Sequence, residues 1–371
     1  MAGITALDQM VRKGDLLVLE DFELNRVEAF FRKVADRFPL VESVSTVVIT
    51  HLLPERPVFL RAVDRIAPVV SVLPKPKSIN AAALREISKA MPVGELDRAA
   101  LAAPDHALAF LESQAAGRNL VLLDIGGYFA PTLAYLCDQF SGQISGVVED
   151  TENGHQRYAA LAKLPCPVLS VARSPLKEPE DFLVGQSVTF STEALIRSRG
   201  DILNGRPATV IGYGKIGRSI ASMLHAKNVG VTVYDSDPVR RAQALSQGFR
   251  SASTLAQALR GAGVIICATG NLALREDDFA AVANGAYIAS VTSSDDELEL
   301  AALDALYERT SAGEYITRYA RTGHYFYVLA DGNAVNFLHG ASVVGRCRGA
   351  AAACDGRRRF GERGGRGAVQ R

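Results

Sequence analysis

The sequence predicts an α/β protein built from two doubly wound α/β domains, and three observations predict it. Short apolar runs rich in β-branched residues alternate with helical stretches over most of the chain, the pattern of parallel strands joined by crossover helices. At 371 residues the chain exceeds one ordinary core and suffices for two. A glycine-rich strand–turn–helix, "ATVIGYGKIGRSIA" at 208–221, opens a second strand–helix series more than halfway along.

Residues 1–36 read as mostly helical. Strands follow at "VSTVVIT" (44–50), "VVSVL" (69–73), "NLVLLDI" (119–125), "ISGVVE" (144–149) and "CPVLSV" (166–171). Helices between them include "NAAALREISKAM" (80–91) and "HALAFLESQAAG" (106–117). These elements form a first domain over 1–183, assigned to the substrate. A second domain, 184–338, runs as strand "PATVIG" (207–212), helix "KIGRSIASMLHAK" (215–227) and strand "VTVYD" (231–235). Helices "PVRRAQALSQG" and "TLAQALRGA" and strands "VIICAT" (264–269) and "AYIASV" (286–291) complete a Rossmann-type series. Residues 339–371 hold a return segment and an Arg/Gly/Ala-rich tail without apolar periodicity, a composition expected to stay disordered.

Hydrophobic residues make up 48% and charged residues 22%, a soluble globular balance. The five cysteines (Cys137, Cys166, Cys267, Cys347, Cys354) lack metal-type spacing. Reduced thiols in a cytoplasmic protein, with no metal, are therefore expected. The N-terminal stretch has no apolar signal core, and no run approaches the about 18 apolar residues of a membrane span. The net charge of +1 hides a tail at 346–371 with eight arginines against Asp355 and Glu362. The remaining body is mildly acidic, which argues against a nucleic-acid partner.

The turn at Gly212, Gly214 and Gly217 has G-x-G-x-x-G spacing. The first glycine permits the tight turn, the second lets backbone approach a pyrophosphate, and the third allows close helix–strand packing. The helix N-terminus beyond offers free N–H groups to phosphates. Asp235 stands 23 residues after Gly212, close to the about 20 expected for an acid on the ribose hydroxyls. A carboxylate there favours NAD over NADP, against which Arg240 and Arg241 weigh slightly. The second domain is expected to bind NAD.

Six collinear stretches carry a resemblance. They are "VVITHLLPERPVFLRAV" (47–63), "LLDIGGYF" (122–129), "GVVEDTENGHQRY" (146–158), "SVARSPLKEPEDFLVGQSVTFSTEAL" (170–195), "VIICATGN" (264–271) and "SVTSSDDELEL" (290–300), leading into "YVLADGNAVNF" (327–337). In this order the chain resembles S-adenosylhomocysteine hydrolase. The resemblance implies transient oxidation of a nucleoside ribose at C3′ by bound NAD, elimination of the 5′ substituent, water addition and re-reduction, with the cofactor regenerated in place.

Mapped onto this sequence, the resemblance implies that Lys177 and Asp181 act at the ribose hydroxyls. The lysine's pKa would be tuned to accept the 3′-hydroxyl proton. Read from the residues alone, the pair could be a surface i,i+4 ion pair, although the intervening "EPE" argues against a regular helix. His51 falls where a histidine works near the 5′ position, Glu55 where a glutamate contacts the purine, and Glu149 and Asp150 at a paired-acid position. Thr151, Thr269, Gly270, Asn271 and Asn336 join Gly212, Gly214, Lys215, Ile216, Gly217 and Asp235 as the implied cofactor-binding residues.

The departures concentrate on proton handling. A "DDGGD" motif reads "DIGGY", so Ile125 replaces an aspartate near the 4′ proton, while Asp124 should face the other side of its strand. Ser293 replaces a histidine, Gln186 a cysteine, and Glu152 and Asn153 two threonines. His339 is a displaced counterpart of another histidine, and a C-terminal segment bearing a lysine and a tyrosine has no match. The leading expectation is an adenosylhomocysteinase-like enzyme, a homo-oligomer of one-carbon or specialised metabolism, acting on a nucleoside by hydrolysis, elimination or epimerisation. The alternatives are a catalytically impaired NAD- or nucleoside-binding regulatory homologue and a simple NAD-dependent dehydrogenase.

Overall fold

Two separate sheets carry the chain in the computed structural model, which describes residues 21–292 and 297–339. Ser293, Cys347, Cys354, the arginine-rich tail and the start of the expected N-terminal helix lie outside the described residues; of that helix, α1 (Asp21–Ala35) is described.

The first sheet comprises β1 (Val44–Leu52), β2 (Val69–Ile79), β3 (Asn119–Asp124), β4 (Gln143–Glu149) and β5 (Val168–Ser170), all parallel, in the order β2-β1-β3-β4-β5. Helices cover both faces, so Val47, Val48 and Ile49 of β1 are completely buried. β2 lies at the edge, where Pro74 and Pro76 cost no central ladder bonds. The chain leaves β1 for β2 on one side and returns to β3 on the other. That reversal opens a crevice beyond the carboxyl ends of β1 and β3, where ligands bind in such sheets. Around the crevice stand α2 (Arg56–Asp64), α3 (Ala81–Ile87), α4 (Arg98–Ala102) and α7 (Glu152–Ala159), with α5 (Pro104–Ala115) and α6 (Leu133–Gln139) between. Asn80 caps α3 by accepting from the Ala83 N–H at 3.0 Å.

One helix, α8 (Lys177–Ser198), links the two sheets. It runs unbroken through residue 183, so the expected division at 183/184 falls inside a helix. The expectation that "EPE" interrupts regular helix is corrected. Lys177 is the first helical residue, which puts Pro179 in the first turn, where a missing N–H forfeits no intrahelical bond. The body of α8 packs on the second unit: Val184, Val188 and Ile196 share a core with Ile220 and Leu224. A Cβ on Gly185 would collide with Ser219, whose hydroxyl donates to the Phe182 carbonyl at 2.7 Å.

The second sheet holds β6 (Ala208–Ile211), β7 (Val231–Tyr234), β8 (Arg250–Ser251), β9 (Val264–Cys267), β10 (Tyr287–Ser290), β11 (Glu308–Gly313), β12 (Ile316–Arg321) and β13 (His324–Leu329). Its order is β11-β12-β13-β10-β9-β6-β7-β8. From β8 to β13 the strands are parallel in the Rossmann order, with the switch between β6 and β9. Helices α9 (Lys215–Ala226), α10 (Pro238–Ser246) and α11 (Leu255–Leu259) complete it. β11 and β12 add antiparallel strands that the sequence reading lacked. β11 is almost wholly exposed and has no apolar alternation to betray it. The β12–β13 hairpin was signalled by Gly323, whose φ of 75° suits a tight turn.

Candidate active site

The carboxyl ends of the two sheets face a common cleft of about 1450 Å³. Among the expected residues, His51, Asp150, Thr151, Lys177, Asp181, Gly214, Lys215, Ile216, Thr269, Gly270 and Asn336 line it. Glu55, Glu149, Gly212, Gly217, Asp235 and Asn271 do not.

The cofactor side starts from the turn after β6. Gly212 has a φ of 93°, and a Cβ there would lie 2.6 Å from the Ala268 carbonyl oxygen. A Cβ on Gly217 would overlap the Gly212 carbonyl. Both glycines therefore act by packing, outside the cleft. At Gly214 a Cβ would find only an Arg240 nitrogen at 3.9 Å, so this side of the turn is open. Gly214 starts α9 without any side-chain cap, leaving first-turn N–H groups directed at the cleft. That open, uncapped turn is a cradle that fits a pyrophosphate. Asp235 differs from expectation. Its carboxylate accepts from the Tyr213 N–H at 2.7 Å and the Asp237 N–H at 2.9 Å, with Arg240 3.6 Å away. It braces the loop rather than lining the cleft, because two backbone donors within reach claim its oxygens.

Beyond β9, Thr269 and Gly270 donate their N–H groups to Glu297 at 2.6 and 2.9 Å. Glu297 also accepts from the Ser290 hydroxyl at 2.8 Å and the Val291 N–H at 3.3 Å. This completely buried carboxylate, its pKa raised by desolvation, ties the loops after β9 and β10 together. Sequence reasoning missed it, because among Asp295, Asp296 and Glu299 it reads as one more residue of an acidic run. Asn271 turns outward, its amide 3.4 Å from Gln156 of the first unit. The backbone carbonyl of Asn336 accepts from Ser187 on α8 at 3.2 Å, fixing the return segment beside the cleft.

On the other side, the paired acids after β4 divide. Glu149 is fully buried beneath the turn after β3. It accepts from the N–H groups of Gly126 (3.1 Å), Gly127 (2.9 Å) and Thr151 (2.7 Å), and from the Thr151 hydroxyl (2.7 Å). A Cβ on Gly154 would strike this carboxylate. Burial and the neighbouring Asp124 push the Glu149 pKa up to about 7. The expected substrate-contacting role is thereby corrected: successive strand residues face opposite ways, and Glu149 faces inward. Thr151, expected at the cofactor, spends its hydroxyl on Glu149 and on capping α7, where it accepts from the Gly154 N–H at 3.0 Å.

Asp150 faces the cleft. The Lys177 ammonium, 13% exposed, donates to Asp150 at 3.1 Å and Glu180 at 2.9 Å. Desolvation would lower the Lys177 pKa, yet these two carboxylates raise it above the ordinary lysine value. These two carboxylates thus favour the protonated form of Lys177. Asp181, one turn on, does not pair with Lys177 as a surface i,i+4 contact. It lies 3.8 Å from Lys215 of α9, and burial pushes its pKa up to about 6. Lys215 also donates to the Ala172 carbonyl at 3.2 Å, so it spans both sides.

His51, at the end of β1, places Nδ1 2.5 Å from the Ser78 hydroxyl and its ring 4.6 Å from Phe337. Glu55 is buried with Arg56 3.5 Å away. Ile125 lines the cleft, whereas Asp124 is buried beneath, accepting from the Phe129 N–H and the Tyr158 hydroxyl. Gln186 is exposed on α8 and away from the cleft. His339 is also remote, hydrogen-bonded to Ser191 at 3.0 Å. Among the described residues no helix is long and apolar enough to cross a membrane, and no cluster of three or more His, Cys, Asp or Glu is placed to hold a metal.

A family model described as "S-adenosyl-L-homocysteine hydrolase, NAD binding domain" matches residues 187–342. Adenosylhomocysteinase from Thermotoga maritima is 30% identical over 53% of this chain and 50% of its own. Adenosylhomocysteinase from Sulfolobus acidocaldarius is 29% identical over 59% of this chain and 53% of its own. The chain thus spans about half the length of the curated relatives it matches. Among solved structures, D-lactate dehydrogenase from Escherichia coli is similar over 70% of this chain and 78% of that one, at 17% identity and a TM-score of 0.38. With the matched segment containing the Gly212 turn, the second unit is an NAD-binding domain similar to that of S-adenosylhomocysteine hydrolase.

Proposed function

We propose that the chain binds an adenosine-type nucleoside, S-adenosylhomocysteine or a 5′-substituted analogue, and oxidises its ribose transiently at C3′. Hydrolysis, elimination or epimerisation would follow from the 3′-ketone. The observation that supports this reading is the cluster of Lys177, Asp150, Glu180 and Asp181 at the junction of the two sheets, beside Lys215 of the cofactor helix.

NAD⁺ held at the Gly214 turn supplies the hydride acceptor. Lys177, protonated and fixed by two carboxylates, donates to the ribose oxygens and steadies negative charge as it develops on O3′. Asp181, with a pKa of about 6, is mostly ionised at neutral pH and close enough to that pH to take the 3′-hydroxyl proton and return it. Asp150 orients Lys177. His51, its ring set by Ser78, is the titratable group offered to the 5′ side. Isoleucine cannot take the 4′ proton, so Ile125 favours a second reading, a ligand-binding homologue that has lost the elimination step.

In this reading residues up to the start of α8 form the substrate unit, and the remainder, with α8 packed on it, forms the cofactor unit. A cytoplasmic homo-oligomer is the setting it implies, which sedimentation of the purified chain checks. The primary experiment is single-turnover spectroscopy of NAD⁺-loaded protein mixed with adenosine and then with S-adenosylhomocysteine. Appearance of the reduced-nicotinamide band supports 3′-oxidation. A flat trace with bound nucleoside supports the binding-only reading, and release of free reduced cofactor over many turnovers would indicate a simple dehydrogenase.

A further inference from the structure

We infer that the end of the cleft over Tyr128 receives an anionic 5′ substituent, a phosphate or a carboxylate; this rests on the nucleoside reading above. The lining from His51 to Tyr128 carries the charged side chains Arg56, Lys75, Lys77 and Arg98 and one carboxylate, Asp97. Asp97 is exposed, and it spends Oδ1 on the Ala99 N–H at 2.8 Å as the cap of α4. The acids of the cleft gather instead around Lys177 and Lys215. Along the rest of the cleft acidic and basic side chains nearly balance, so a ligand lying along it meets the largest excess of cations at the Tyr128 end.

The geometry is built rather than incidental. Lys75 and Lys77 sit two residues apart on β2 and so share a face, while Pro74 and Pro76 restrict the backbone between them. Lys75 is only 9% exposed, with the buried Asp124 carboxylate near enough to interact with its charge. Its Nζ lies 5.7 Å from the centre of the Tyr128 ring, and the Arg98 guanidinium lies 4.5 Å from the same centre. One aromatic ring therefore holds two cations beside each other. Lys75 Nζ is also 3.5 Å from where a Gly126 Cβ would stand. Gly126 adjoins Ile125, the position that the resemblance puts near C4′, so the neighbouring substituent is the 5′ one.

Backbone cannot supply this charge. The N–H groups of Gly126 and Gly127, which would otherwise cradle an anion, are consumed by Glu149. Recognition falls to the side chains, with Arg98 offering a planar fork and the lysines point charges.

The test is calorimetric titration of the NAD⁺-loaded full chain with adenosine, adenosine 5′-monophosphate and adenosine 5′-carboxylate. One or both charged compounds should bind at least about tenfold more tightly than adenosine, and the preference should shrink as salt is raised. The tighter of the two identifies phosphate or carboxylate as the source. Lys75→Met and Arg98→Gln should each erase the preference while leaving adenosine binding in place. Arg98, half-buried at a helix start, carries the test should Lys75→Met fail to fold. Equal binding of all three by the wild type, or a preference unchanged in a folded variant, overturns this inference alone. Failure of all three to bind overturns it together with the nucleoside reading.

Discussion

Two glycine turns stand beside the switch points of the two sheets, one after β6, which opens its series, and one after β3, which the chain enters after crossing over, yet they use their N–H groups oppositely. At Gly212–Gly217 the loop runs into an uncapped helix whose N–H groups open on the cleft. At Gly126–Gly127 the N–H groups point inward onto Glu149, and Arg157 holds the Gly126 carbonyl at 2.8 Å. The first turn is a receptor for negative charge, and the second has swallowed a carboxylate of its own. A glycine turn at a sheet switch point thus becomes an anion site only where no internal acid reaches its donors. The same accounting applies to Thr269 and Gly270, whose donors belong to Glu297.

The largest effect is expected where the two halves meet. Lys177→Ala should slow nucleoside-dependent reduction of bound cofactor by on the order of a thousandfold, with thermal unfolding little changed; full activity would detach this cluster from the chemistry. On the open turn, Gly217→Val should weaken NAD⁺ by more than about 100-fold in calorimetry, through loss of close packing. On the closed turn, Gly154→Ala should leave NAD⁺ affinity nearly intact but destabilise the fold by about 2–3 kcal/mol in denaturant titration, since its methyl displaces Glu149. An unchanged midpoint there would break the comparison. Glu297→Gln should cost about tenfold in NAD⁺ affinity, because its second carboxylate oxygen becomes a donor facing donors. The smallest effect is a profile. Nucleoside oxidation should decline as pH falls through about 6, where Asp181 takes up a proton, and Asp181→Asn should remove that limb. Lys177, raised above the ordinary lysine range, adds no decline at mildly alkaline pH.

Much of this was legible in the chain. Strands buried on both faces read as apolar runs, so β1, β3, β6, β9 and β10 were found close to their true extents. The packing glycines were identified because steric demands at Gly212 and Gly217 are local to the turn. What escaped depended on distance. The inward orientation of Glu149 follows from its strand's register against β3, and the use of Asp235 on its own loop follows from two N–H groups arriving from separate segments. The end of β2 went unread as chemistry because its lysines look like a solvated edge, until α4 and the β3 turn bring Arg98 and Tyr128 alongside. Pro179 misled for the opposite reason, since a residue that forbids a helix interior is harmless in the first turn.

The long helix α8 has a mechanical consequence. Its body is fastened to the cofactor half by Val184, Val188 and the Gly185–Ser219 contact, while its first residue reaches across to Asp150 of the other half. Glu180 rides on the same helix as Lys177 and would travel with it; Asp150 would not. Any hinge-like parting of the halves strips one of the two carboxylates from the lysine and lowers its hold on its proton. Under the nucleoside reading, the approach of the two halves and the charge state of the lysine would thereby be geared together through a single ion pair.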